Sequence, residues 1–206
     1  MSNRVGSRPL EIDVAISVLD MSVSVDGYVA GPNDGPGNPG GDGFILHDWS
    51  LTPAGDFRRS GSAGKLMDEI LEAGAVVSGR RTAEQVDHWG GVHHGDGVPV
   101  FVLSHRRPGP SVAKYPLISY VNDGIESAMA QAKAAAGDRH VHVIGAYTAQ
   151  RALEAGVLDE IRIHQVPVLY GGGVRLFEVL PSRVTLEIIR VIDTLEATHI
   201  RYRVRR

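Results

Sequence analysis

At 206 residues, with 43% hydrophobic and 22% charged content, the chain has the composition of a globular protein with room for a substantial core. A formal net charge of −3 carries no basic surplus, which argues against nucleic acid as a partner, and the absence of cysteine excludes disulfides, thiolate metal sites and cysteine nucleophiles. There is no apolar run of signal-peptide type before Asp13, and no stretch approaches the ~20 apolar residues that cross a bilayer, so a cytoplasmic protein without membrane contact is expected.

Residues 1–11 read as a disordered tail and 12–206 as a single domain. The first element, "IDVAISVLDMSVSVDGYVAG", is rich in β-branched residues and reads as a strand. Its apolar alternation changes phase between Val18 and Val23, which predicts a bulge near Leu19–Met21. Residues 31–43 hold six glycines and three prolines and read as a mobile loop, either an active-site lid or a loose connection. A helix follows over "AGKLMDEILEA", with Leu66, Ile70 and Ala73 on one stripe. "AVVSG" is a buried strand, and "TAEQVDHW" a short helix in which Thr82 and Gln85 match a capping box. "VPVFVLS" and "PLISYV" read as strands, "DGIESAMAQAKAAAG" as a helix, and "HVHVIGAYTAQRALEAGVLDEIRIH" as strand, turn, helix and strand. "TLEIIRVIDT" and "HIRYRVR", joined by a short turn, form an antiparallel hairpin at one edge. The alternation of strands and helices before it argues for a largely parallel sheet covered on both faces, an α/β fold.

Ligands of such sheets sit at the carboxyl ends of the strands. Three strand exits carry suitable residues. In "VVSGRRTAEQ", Gly79 frees the backbone beside Arg80, Arg81 and Thr82. In "FVLSHRRPG", Ser104, His105, Arg106 and Arg107 supply hydroxyl and guanidinium donors suited to an adenosine 2′-phosphate. In "VIGAYTAQRAL", Gly145 and Ala146 admit a pyrophosphate against the backbone and Thr148 caps the following helix. Each alone also fits an ordinary basic turn; their co-occurrence carries the weight. No G-x-G-x-x-G follows the first strand, so a Rossmann dehydrogenase fits poorly. His88, His93 and His94 lie in a glycine-rich loop without rigid ligand spacing, so no metal is expected there. His140, His142 and His164 read as packing residues, and Trp49 and Phe57 either stack on an aromatic substrate or fill core beneath the loop.

The pieces "SVSVDGYVAGPNDG", "GAVVSGRRTAEQ", "FVLSHRRPG" and "VHVIGAYTAQRALEAGVLDEIRIHQVPVLYGGGVRLF", with the closing hairpin, resemble the dihydrofolate reductase-like family, specifically the reductase domain of the riboflavin-pathway deaminase/reductase. The resemblance implies a three-layer αβα sandwich and an NADPH-dependent reductase acting on a pterin-like or ribosylaminopyrimidine-like heterocycle. It implies phosphate contacts from Gly79, Arg80 and Thr82, a 2′-phosphate site at Ser104 and Arg106, and a pyrophosphate turn at Gly145, Ala146, Tyr147 and Thr148. Gly171, Gly172 and Gly173 form a turn at the cleft edge, with Gly172 among the cofactor residues. Asp26 and Gly27 flank the nicotinamide and substrate, with Trp49 and Phe57 on the substrate side. A carboxylic acid or an ordered water is the expected proton donor, with Asp26 the first candidate; its other reading is to turn the chain before Gly27. The resemblance also implies a homodimer that buries an open edge at "HIRYRVRR". Two departures stand out. Riboflavin-pathway relatives commonly have a lysine where Asp20 stands, and no carboxylate among Asp56, Asp68, Glu69 and Glu72 aligns with the pterin-binding one of dihydrofolate reductases. A non-catalytic NADPH-binding module of the same fold is the alternative reading.

Overall fold

The computed structural model describes residues 15–178, 180 and 182–205. The expected disordered tail and the first three residues of the predicted opening strand lie outside the described residues. Ten strands are formed: β1 (Ser17–Ser24), β2 (Tyr28–Ala30), β3 (Ala75–Gly79), β4 (Val100–Leu103), β5 (Ile118–Val121), β6 (Val141–Ile144), β7 (Glu160–Val166), β8 (Val174–Arg175), β9 (Thr185–Asp193) and β10 (Thr198–Arg205). The α-helices are α1 (Gly61–Leu71), α2 (Arg80–Gln85), α3 (Ile125–Ala136) and α4 (Ala146–Glu154). Eight strands make one sheet in the order β5-β4-β3-β6-β1-β7-β10-β9, and β2 and β8 form a separate pair. Pairing is parallel from β5 through to β7 and antiparallel at β7–β10 and β10–β9. This is the expected three-layer α/β architecture of the dihydrofolate reductase type.

The elements follow from local chemistry. The apolar stripe of α3, with Ala128, Met129, Ala132 and Ala136 buried, packs on the sheet, and the helix stops at Gly137, whose φ of 66° suits glycine. Small residues on α4 (Ala146, Ala149 and Ala152 are buried) let it approach the sheet closely. With Leu19, Val77, Val141, Val143, Leu158 and Ile161, these helices enclose one apolar core. On the opposite face α2 and the β3–β4 strands bury a second cluster, and α1 with the 3₁₀ segment Gly41–Ser50 buries a third around Leu46, Trp49, Leu66 and Met67.

Four local expectations are corrected. The β1–β7 ladder runs without a break from Val18↔Glu160 to Ser24↔Val166, so no bulge lies near Leu19–Met21. β1 is central and covered on both faces, so apolar residues of either parity are wanted there. Thr82 is not a cap: α2 begins at Arg80 with Gly79 as its N-cap, which puts Thr82 inside the helix. The helix ends at Gln85, and Asp87, His88 and Trp89 then take positive φ, held by Tyr115 Oη donating to Asp87 at 2.6 Å and by His88 Nε2 meeting Tyr120 Oη at 2.9 Å. The open edge is β9, not the closing strand β10, which pairs on both sides.

The loop over residues 31–43 is folded on itself. Gly31 N donates to Gly40 O and Asp42 N to Pro32 O, both at 2.9 Å. Only glycine fits at 41, where a Cβ would lie 2.3 Å from Pro32 O. Asp34 ties the loop to α2 through Arg81 Nη2 at 2.8 Å.

Candidate functional site

The carboxyl ends of β3, β4 and β6 open into one cleft of about 520 Å³, within the ordinary range for ligand pockets. Gly79, Arg80, Thr82, Ser104, Arg106, Gly145, Ala146, Tyr147 and Thr148 all line it, so the sheet brings the three separate strand exits together. Gly145 has φ of 94°, and a Cβ there would stand 3.0 Å from Thr82 Oγ1 and 3.8 Å from Thr148 Oγ1. A Cβ on Gly79 would likewise stand 3.0 Å from Thr148 Oγ1. Two glycines and two threonine hydroxyls thus form a cradle of bare backbone and donors.

Thr148 is not a cap, as Gly145 holds that position of α4. Its hydroxyl is buried and has no hydrogen-bond partner among the described residues. A buried hydroxyl left unmatched costs about 1–3 kcal/mol, which a phosphate oxygen would recover. Ser104 shapes its turn rather than offering its proton outward: Oγ donates to Arg106 O at 2.7 Å and accepts from Arg106 N at 3.0 Å. That turn sets Arg106 at the cleft mouth, while Arg80 pairs with Glu84 at 2.7 Å. These residues fit a dinucleotide phosphate chain.

Other predicted residues fall elsewhere. Gly172 lies outside the cleft, where a Cβ would face Pro32 Cγ at 3.8 Å. Asp26 lines neither this cleft nor the cavity beside it. Its Oδ1 accepts from Ser24 Oγ at 2.6 Å and Tyr170 N at 3.1 Å, and its Oδ2 accepts from Gly171 N at 2.7 Å. The Ser24 hydroxyl, ahead of the backbone amides, pulls its pKa down to about 2. A carboxylate so held is a turn-forming acceptor that joins the Gly27 turn to the 170–171 backbone, which corrects the expectation of a proton donor.

A second cavity of about 410 Å³ adjoins the cleft and shares Met21, Val29, Thr82 and Ile144 with its wall. Trp49 and Phe57 both line it. Trp49 is buried, donates Nε1–H to Ser22 Oγ at 2.8 Å and stacks 4.3 Å from the His164 ring. Phe57 is about half exposed at the rim.

Behind Trp49 runs a chain of polar groups. Asp20 Oδ1 meets His164 Nε2 at 2.8 Å, and His164 Nδ1 meets His199 Nδ1 at 2.7 Å. Burial by itself raises the Asp20 pKa, but His164, His142 and Arg162 outweigh it and hold the carboxyl below its usual value. Burial pushes the histidine rings down: His47 and His142 below their ordinary value, His93 to about 3 and His199 to about 4. The cavity therefore meets the neutral rings of His47, His93 and His142 and the Asp20 carboxylate at pH 7. Among the described residues no cluster of His, Asp and Glu is arranged to hold a metal.

Sequence reading missed this cavity. His142 and His164 line it rather than merely pack, and His93 and His94 close it from the 92–97 loop. The available signal was parity: Asp20 and Ser22 on β1 face the same way as Arg162 and His164 on β7 and His199 and Arg201 on β10. Glu69, weighed as a substrate carboxylate, is taken by Arg190 in a two-pronged pair at 2.8 and 2.6 Å.

The mostly parallel sheet, its antiparallel closing hairpin and the strand-end cleft define an α/β protein of the dihydrofolate reductase fold class. The RibD C-terminal domain family matches residues 16–200, and the chain belongs to that family. Membership classes it as an oxidoreductase. Among solved structures, a protein from Shewanella sp. PV-4 provisionally assigned to riboflavin biosynthesis is 24% identical, with a TM-score of 0.70 over 93% of this chain and 99% of that one. The Thermotoga maritima diaminohydroxyphosphoribosylaminopyrimidine deaminase/5-amino-6-(5-phosphoribosylamino)uracil reductase is 11% identical, with a TM-score of 0.57 over 93% of this chain and 57% of that one. An Enterococcus faecalis dihydrofolate reductase complexed with NADP(H) is 14% identical, with a TM-score of 0.57 over 93% of this chain and 97% of that one. No curated protein sequence matches the chain.

Proposed function

We propose that the chain is an NADPH-dependent reductase that transfers hydride to a small pterin-like or pyrimidine-like heterocycle. The observation that carries this reading is the unmatched Thr148 hydroxyl in a glycine-and-threonine cradle, flanked by arginines and opening onto an aromatic-lined cavity. Bound NADPH would supply the hydride. Thr82, Gly145, Ala146, Tyr147 and Thr148 would hold its pyrophosphate, and Gly79 and Arg80 would back them. Arg106 would meet the 2′-phosphate on the turn fixed by Ser104. Met21, Val29 and Ile144, shared by both cavities, form an apolar collar that would keep water from the reacting bond. The loop pinned by Asp34–Arg81 lends Asp34 and Gly40 to the cleft wall and would act as its cover.

The same reading places the protein in the cytoplasm; no described helix is long and apolar enough to cross a membrane. It also makes the protein a homodimer, with the exposed apolar residues of β9 in the interface.

Titration with NADPH and NADH tests the cofactor assignment. NADPH should bind at least tenfold tighter than NADH, and Arg106→Glu should erase that preference while leaving NADH affinity nearly unchanged. Equal affinities in the wild type would remove the 2′-phosphate site. A protein that binds NADPH but oxidises it with no pterin or pyrimidine in a panel is the non-catalytic module instead.

A further inference from the structure

The two cavities differ in charge. The cofactor cleft is walled by Arg80, Arg81 and Arg106, with Asp34 alone opposing them. The adjoining cavity has Asp20 on its wall and, among the described residues, neither lysine nor arginine. A phosphate ester entering it would lose hydration, meet a carboxylate and find no cation.

Asp20 is also incompletely bonded. The residue is only 9% exposed. Oδ1 accepts from His164, but Oδ2 is buried and has no hydrogen-bond partner. The nearest cation, Arg162 Nη1, stands 4.0 Å from Oδ2, beyond hydrogen-bond reach. The histidines behind Asp20 occupy its other oxygen. His164 Nε2 occupies Oδ1 at 2.8 Å, and His199 Nδ1 stands 2.7 Å from His164 Nδ1 on the far side of the ring. Oδ2 is thus an acceptor unmatched among the described residues, on a side chain that lines a cavity with Trp49 and the neutral rings of His94 and His142.

We propose that Asp20 Oδ2 is the anchor for the substrate ring, and that the substrate is an unphosphorylated, amino-substituted heterocycle, neutral or protonated, whose N–H groups point at this oxygen. Trp49 flanks the ring, and His164 with His199 are positioning residues that hold the carboxylate. The reductase reading of the cleft underlies the assignment, which narrows the substrate from pyrimidines and pterins in general to those without a phosphate on the part that enters this cavity.

Binding calorimetry without any nicotinamide nucleotide tests it on two matched pairs: 6-hydroxymethylpterin with its phosphate monoester, and cytidine with cytidine 5′-monophosphate. At least one unphosphorylated member should bind, with its ester at least tenfold weaker. 1,3-Dimethyllumazine, a pteridine without ring N–H or amino donors, should bind at least tenfold weaker than 6-hydroxymethylpterin. Asp20→Asn should cost the bound heterocycle at least tenfold in affinity while NADPH affinity stays within twofold. The proposal is overturned if the ester binds as well as or better than its parent, if neither parent binds at millimolar concentration, or if Asp20→Asn folds and binds the heterocycle unchanged. Should Asp20→Asn fail to fold, the matched pairs in the wild type decide alone. Failure of NADPH to bind, with heterocycle affinity still following Asp20, would sink the reductase reading and leave the anchor standing.

Discussion

The two faces of the central strands are built on opposite terms. On β1, β7 and β10, Leu19, Ile161, Ile163 and Tyr202 point towards α3 and α4, into an apolar core. The alternate residues of the same strands, Asp20, Arg162, His164, His199 and Arg201, point the other way. That face is also buried, yet Asp20 Oδ2 and Arg162 Nε and Nη1 lack hydrogen-bond partners. One face gains from removing apolar surface from water, at about 1.5–3 kcal/mol for each fully buried large side chain. The other spends burial on groups whose desolvation costs free energy unless a ligand completes their bonds. The contrast assigns stability mainly to the helix-covered face and chemistry to the face with the cavity.

Truncation on the apolar face should give the largest effect. Leu19 is fully buried there, and Leu19→Ala removes its packing and leaves a cavity. The expected loss is about 2–5 kcal/mol, read as a lower denaturation midpoint at unchanged slope in urea. A loss below 1 kcal/mol would mean that this face is not the principal core.

The polar face should respond to acid first. The pKa of His199, buried on that face, is depressed to about 4 by burial and the adjacent His164, against ~6.5 in an unfolded chain. For a base with a lowered folded pKa, the unfolded chain takes up a proton between these values that the folded chain refuses, so stability falls as pH falls. His199 alone should cost about 2 kcal/mol by pH 5 relative to pH 7.5. His93, lowered to about 3, and His142, lowered by burial, act in the same direction. Asp20 and Asp26 have lowered acid pKa values, so their stabilisation is present above ~3.9 and is lost only below it. Urea midpoints that stay flat from pH 7.5 to 5 would show that the rings are not buried neutral.

Much of this organisation is legible before any coordinates. Element order, the parallel sheet and the closing hairpin follow from apolar period and from glycines at strand exits. The strand-end cleft was also legible, because each strand–glycine–helix unit is local: Gly79, Ser104 and Gly145 announce their turns within a few residues. The adjoining cavity was not. Asp20 meets partners 144 residues away at His164 and, through it, His199, and only strand register brings them together. Asp26 drew attention for the opposite reason: its "VDG" setting marks a turn, and a turn is what it serves. Thr82 shows the limit of motif reading, since its spacing to Gln85 matches a capping box two residues downstream of the actual helix start.

The smallest effect on the folded chain should come where the apolar face runs past its helices. On β9, Leu186, Ile188 and Val191 pair with Val204, Tyr202 and Ile200, which places them on the α3/α4 side of the sheet. They are nevertheless 38%, 63% and 53% exposed. In the proposed homodimer a second copy of the chain would cover these apolar side chains. Ile188→Lys should therefore shift the protein from dimer to monomer in sedimentation velocity at micromolar concentration. Monomer stability should change by only about 0.5 kcal/mol, as expected for a surface position. A wild type that sediments as a monomer at those concentrations would refute the dimer. A variant that loses several kcal/mol would show instead that β9 already belongs to the helix-covered core, and the boundary between the two kinds of face would move outward by one strand.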